Sequence, residues 1–155
     1  MTRLVDEGVI IVGAGTDTTA NTLEVTTFYI LNTPQALQNL VKELDEAIPN
    51  PSNPPSWQKL EQLPYLRATI LEGHRITSLM TSRLIRVPTN EVLRYNDWSI
   101  PAGTPVSMTT HFTHYDPAIF PSPLEFRPER FLGSSELEKY VVPFSKGSRA
   151  CLGIK

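Results

Sequence analysis

Residues 4–31 are apolar with few helix breakers, a pattern that predicts one long helix. Gly13 and Gly15 weaken its middle by about 1 kcal/mol each relative to alanine. Thr18 and Thr19 can bond back to carbonyls one turn earlier and bend it further. The expectation is therefore a helix with a soft polar notch at Ala14-Gly15-Thr16-Asp17-Thr18-Thr19. Thr33-Pro34 gives a second helix its cap and first-turn proline. Leu37, Leu40, Val41, Leu44 and Ile48 then repeat as one apolar stripe. Prolines crowd residues 49–56 and mark a surface loop. Leu63-Pro64 opens a third helix, which contains Glu72-Gly73-His74-Arg75. Helical spacing then gives way to short strand-like runs at 82–87, 92–95, 98–100 and 106–108, with turns at Asn96-Asp97 and Pro101-Ala102-Gly103. Residues 116–143 read as proline-punctuated coil anchored by Phe120, Phe126, Phe131 and Tyr140. The fold class is α+β, mainly α with a small antiparallel β-sheet.

Composition narrows the chemistry. A chain of 155 residues is long enough for a real core. Its charged fraction of 19% and formal net charge of −2 give no electrostatic footprint for nucleic acid. A single cysteine excludes an internal disulfide framework and a cysteine-only zinc site.

Two motif readings fail on their own residues. Val9-Ile10-Ile11-Val12 before Gly13-Ala14-Gly15 imitates the strand and glycine loop of a dinucleotide-binding fold. That loop wants glycine or alanine where Thr18 stands, and an acidic residue where Asn32 and Thr33 stand. His111 and His114 are spaced as a metal pair, but no third ligand follows at useful spacing. A structural turn is the better reading.

The densest chemistry lies in Phe144-Ser145-Lys146-Gly147-Ser148-Arg149-Ala150-Cys151-Leu152-Gly153. Gly147 and Gly153 free the backbone for a tight loop that can approach a large flat group. Arg149 offers a fixed cation for a carboxylate. A thiolate in such a loop could ligate iron with backbone N–H groups aimed at the sulfur. By itself, a lone cysteine is also compatible with a small buried hydrophobe.

This run resembles the haem-binding loop of the cytochrome P-450 family, the haem-thiolate monooxygenases, whose pattern is Phe-x-x-Gly-x-Arg-x-Cys-x-Gly. Every fixed position is present. Further runs resemble family motifs in the family's order. Ala14 to Thr19 is similar to the oxygen-binding notch of the central helix. Glu72 to Arg75 is similar to the E-x-x-R motif, and Phe126-Arg127-Pro128-Glu129-Arg130-Phe131 to the P-E-R-F motif. The turn from Ile100 to Thr104 also resembles a family turn, and the wording near Glu72 is most like fungal members. An exposed Glu–Arg pair on one helix face contributes only about 0–1 kcal/mol. The resemblance instead implies a desolvated cluster of Glu72, Arg75 and Arg130.

The resemblance implies that Cys151 is the axial ligand of haem iron and that Phe144, Gly147, Arg149 and Gly15 adjoin the cofactor. Arg86 reaches a haem propionate in this reading, or faces solvent as every second strand residue does. Thr18 handles dioxygen, and Asp17 relays protons from solvent. The implied reaction inserts one oxygen atom of dioxygen into a lipophilic organic substrate. Electrons come from NADPH through a reductase partner, with no nucleic acid involved, and the complete protein sits at the endoplasmic reticulum membrane. Residues 1–155 are expected to form one partial domain, incomplete at both ends and inactive alone. The alternative is an inactive fragment with at most an interaction role.

Overall fold

Seven residues of helix α4 (Pro64–Thr77) are buried, and the rest of the fold is arranged around it. The computed structural model describes residues 2–133 and 136–154. In chain order the other elements are α1 (Thr2–Asn32), α2 (Pro34–Ala47), α3 (Trp57–Leu60), β1 (Leu84–Arg86), β2 (Leu93–Tyr95), β3 (Trp98–Ile100), β4 (Val106–Met108) and α5 (Thr110–His114). Short 3-10 turns follow at Pro128–Phe131, Glu138–Tyr140, Gly147–Arg149 and Leu152–Ile154.

Helix α1 runs unbroken through Gly13 and Gly15. Its threonines bond back as their chemistry favours, Thr18 Oγ1 to Ala14 O at 2.7 Å and Thr22 Oγ1 to Thr18 O at 2.9 Å. The C-terminal half of α1 packs on α4, where Gly73 meets Thr26. A Cβ added at Gly73 would fall on Thr26 Oγ1 and lie 2.7 Å from its Cγ2. The missing side chain therefore sets how closely the two helices approach. Gly73→Ala should cost about 1–3 kcal/mol through overpacking. The thermal midpoint of the complete protein checks this, and an unchanged midpoint would show that the helices part freely.

Helix α2 carries Pro34 in its first turn and buries Ala36 and Leu40. Val41 of the sequence stripe stays 45% exposed, so the buried face is narrower than the stripe. Leu63 precedes α4 and has no side-chain oxygen to cap its first amides. Glu43 of α2 supplies the cap, its Oε1 accepting from Tyr65 N and its Oε2 from Leu66 N, both at 2.8 Å. The carboxylate also meets the positive end of the α4 dipole. Tyr65 then donates its hydroxyl to Glu129 Oε1 at 2.6 Å, tying α4 to the Pro128–Phe131 turn. Burial, with help from this bond, pushes the Tyr65 phenol up to about 12.

Two small cores form around α4. Ala36, Ile76 and Phe126 make one, with Val25 and Tyr29 of α1 against it. Ala68, Phe120 and Phe131 make the other. The coil is thus anchored by Phe120, Phe126 and Phe131, whereas Tyr140 is 36% exposed.

The expected single sheet is instead two separate antiparallel ribbons, β1 with β4 and β2 with β3. Asn96, in the left-handed region at φ 49°, makes the tight turn that pairs Tyr95 with Trp98. Pro88 lies between β1 and β2 and Pro101 between β3 and β4, and neither can donate to a ladder. Among the described residues, no helix is long and apolar enough to cross a membrane.

Candidate functional site

Glu72 and Arg75 lie on one face of α4 and have no exposed surface. Glu72 Oε2 accepts from Arg75 Nε at 2.8 Å. Its Oε1 accepts from Arg75 Nη2 at 2.8 Å, from the Arg127 backbone N–H at 2.9 Å and from Arg130 Nε at 3.1 Å. Arg75 then spends its remaining donors on main-chain carbonyls. Nη1 reaches His114 O at 2.9 Å and Pro123 O at 2.8 Å, and Nη2 reaches Glu125 O at 3.2 Å. All five guanidinium N–H groups have acceptors. Arg130 donates onward to the carbonyls of Pro121, Ser122 and Glu125. One carboxylate faces two cations here, and backbone dipoles absorb the excess positive charge. The cluster sews α4 to residues 114–130, a coil with no ladder of its own.

His114 sits where this cluster meets the C-terminal loop. Its ring is 1% exposed. Nε2 accepts the backbone N–H of Val142 at 3.4 Å, while its carbonyl takes Arg75. Burial, reinforced by the Arg75 cation, pulls the imidazole down to about 4, so the ring is neutral.

The loop after Val142 turns twice through the left-handed region, at Ser145 (φ 59°) and Gly147 (φ 77°). Glycine suits the second turn because it has no Cβ to clash. The turns bring Cys151 N within 2.8 Å of Phe144 O and Ala150 N within 3.0 Å of Gly147 O. Phe144 lays its ring against His74 of α4, edge to face, at 5.3 Å. Cys151 is a free, exposed thiol.

Between α1, α4 and this loop lies a cavity of about 530 Å³. Its wall includes Ala14 and Thr18 of α1, His74 of α4, and Phe144, Arg149 and Cys151 of the loop. The volume falls in the ordinary range for small-molecule sites, about 300–1,000 Å³. Two buried polar atoms of wall residues, Thr77 Oγ1 and His114 Nδ1, lack a protein partner. Among the described residues, no group of three or more histidine, cysteine or acidic side chains could hold a metal ion. A metal held here by Cys151 must therefore arrive inside a larger group that supplies its other ligands. One thiol, an arginine and largely apolar walls fit haem.

Residues 1–155 match the cytochrome P-450 family from end to end. The chain belongs to the cytochrome P-450 family. It is 46% identical to the cytochrome P-450 monooxygenase tpcC of Cochliobolus heterostrophus, covering 98% of this chain and 30% of that protein. It is 47% identical to claJ of Penicillium crustosum, covering 98% of this chain and 36% of that protein. It is 46% identical to tndB of Aspergillus flavipes, covering 99% of this chain and 32% of that protein. The chain thus spans about a third of the length of these fungal relatives.

In this P-450 segment, Thr18, Phe144, Arg149 and Cys151 share one cavity although Thr18 comes from the opposite end of the sequence. Arg86 lines an adjoining recess and donates to Ser145 Oγ at 3.1 Å, so it touches the cysteine loop without entering the main cavity wall. Gly15 and Asp17 lie on exposed turns of α1, outside the cavity wall. Gly147 shapes the loop rather than the wall. Three further residues shape the site. Gly73 sets the helix approach, His74 backs Phe144, and His114 joins cluster to loop. No local pattern marks His114, because its partners are 39 and 28 positions away.

Proposed function

We propose that residues 1–155 are the haem-holding part of a monooxygenase, a partial domain completed by chain beyond it. The single observation that carries this reading is the cavity that sets Cys151 and Arg149 against Thr18. The fungal relatives are themselves named as monooxygenases, which supports the reaction class. The exposed apolar side chains of α1, among them Leu4, Val9 and Ile11, form the surface that the rest of such a domain covers.

Cys151 holds haem iron through its thiolate, which makes the bound group competent to split dioxygen and insert one oxygen atom into an organic substrate. The remaining work belongs to the chain. The Cys151 N–H is committed to Phe144 O, which fixes the backbone next to the sulfur. Arg149 faces the cavity as a cation for the cofactor's carboxylates, and Arg86 steadies the same loop through Ser145. Thr18 donates its hydroxyl to Ala14 O and keeps its oxygen lone pairs free to accept a hydrogen bond on the cavity side. Asp17, exposed on the preceding position of α1, links that hydroxyl to solvent. Electrons come from NADPH through a reductase. The substrate is lipophilic, and the complete protein works at the endoplasmic reticulum membrane.

The test is the reduced carbon monoxide spectrum of the complete protein. A strongly red-shifted Soret band reports thiolate ligation, and its absence removes the reading. A second expectation concerns Thr18→Ala. Haem content should stay within roughly a tenth of the original, while peroxide released per NADPH oxidised should at least roughly double, since positioned proton transfer typically contributes 100-fold or more. Peroxide yield equal to that of the parent would remove Thr18 from proton handling.

A further inference from the structure

We propose that His114 is a positioning residue that fixes the Cys151 loop to the buried Glu72–Arg75 pair. This deepens the proposed function and rests on Cys151 being the iron ligand. The observation is a continuous chain of bonds. Glu72 holds Arg75 through two hydrogen bonds. Arg75 Nη1 holds the His114 carbonyl at 2.9 Å. His114 Nε2 holds the N–H of Val142 at 3.4 Å. Val142 O accepts from Ser145 N at 3.2 Å, and Phe144 O accepts from Cys151 N at 2.8 Å. Hydrogen bonds and short stretches of backbone thus connect the ion cluster to Cys151 without a gap.

The chemistry requires an acceptor at this point. Val142 stands between the Glu138–Tyr140 turn and the left-handed turn at Ser145, in no strand or helix that would take its N–H. Val142 is half-buried, and an amide withdrawn from water without an acceptor is unfavourable. Neutral imidazole offers a lone pair on Nε2 and carries its proton on Nδ1. Nδ1 is the buried atom that lacks a protein partner. Phe144 and His74 add a packing contact on the other side of the loop, but that contact carries no direction along the chain.

The experiment uses the complete protein and three variants, His114→Leu, His114→Gln and His114→Asn. Glutamine places its amide oxygen near the reach of Nε2, whereas asparagine is too short and leucine offers no acceptor. Hydrogen exchange over residues 142–151 is followed by mass spectrometry, and the reduced carbon monoxide spectrum is recorded in parallel. In His114→Leu, exchange over this segment should rise about tenfold, and the thiolate-type share of the carbonyl spectrum should fall. In His114→Gln, both should stay within about twofold of the parent. Leucine with parental exchange and spectrum overturns the proposal. Glutamine as damaged as leucine also overturns it, because ring shape and not the acceptor would then be what matters. Should the leucine variant fail to fold, glutamine and asparagine decide. A protected loop in glutamine but not asparagine supports the proposal, and equal loss in both overturns it. A parent protein without the thiolate band defeats the ligand reading alone, and the exchange arm still decides whether His114 holds the loop.

Discussion

Arg75→Ala in the complete protein is expected to cost about 3–5 kcal/mol of folding stability and to leave little haem bound. Arg75 does not line the cavity, so the effect must travel through the fold. Alanine removes both of Arg75's hydrogen bonds to Glu72 and abandons the carbonyls of His114, Pro123 and Glu125. Glu72 keeps Arg130 Nε and the Arg127 amide, which moderates the loss at that end. Glu125 O likewise keeps Arg130 Nη2, but the carbonyls of His114 and Pro123 have no such reserve, and they belong to the stretch of chain that carries His114. A domain of this size is stable by only about 5–15 kcal/mol, so a large share would be gone. Arg75→Lys is the control. It keeps the charge, but its three donors cannot replace five in a planar fork. Its stability should fall between the two. Urea midpoints and haem-to-protein ratios check both variants, and parental values for Arg75→Ala would show that the coil is held elsewhere.

Cys151→Ser should abolish the red-shifted carbonyl band outright while leaving the apoprotein folded. The thiol is exposed and its side chain fills no core position, so replacing sulfur by a hydroxyl disturbs little packing. The backbone bond from residue 151 to Phe144 O does not depend on the side chain and should persist. What changes is the donor. Only a thiolate donates enough electron density to shift the band, and a neutral hydroxyl does not. The measurement is the difference spectrum after reduction, with circular dichroism to confirm the fold. A serine variant that kept the band would show that Cys151 is not the ligand.

Both experiments separate a residue legible in the sequence from one whose importance comes from its surroundings. Cys151 stands out as the only cysteine, flanked by glycines and Arg149. By spacing alone Glu72 and Arg75 do not stand out, because two charges three apart on a helix are ordinary, and only the resemblance to the E-x-x-R motif singles them out. Burial turns that pair into an anchor, and burial depends on Phe120 and Tyr115 closing over the guanidinium at 5.4 and 5.8 Å.

The sequence by itself determined the three long helices α1, α2 and α4, the turn at Asn96-Asp97 and the order of the motifs. These rest on interactions within a few residues: backbone bonds one turn apart, a proline that fixes φ, and an apolar stripe of fixed period. Tertiary structure alone decided that the four strands split into two ribbons and that Glu43 caps a helix starting 21 positions later. It also decided that Gly73 is demanded by Thr26, and that His114 bridges the ion cluster and the cysteine loop. Thr18 and Cys151 came to share one cavity in the same way. Each of these is a contact between residues far apart in the chain. Hydrophobic period reports which way a residue faces, but not which distant residue it will meet.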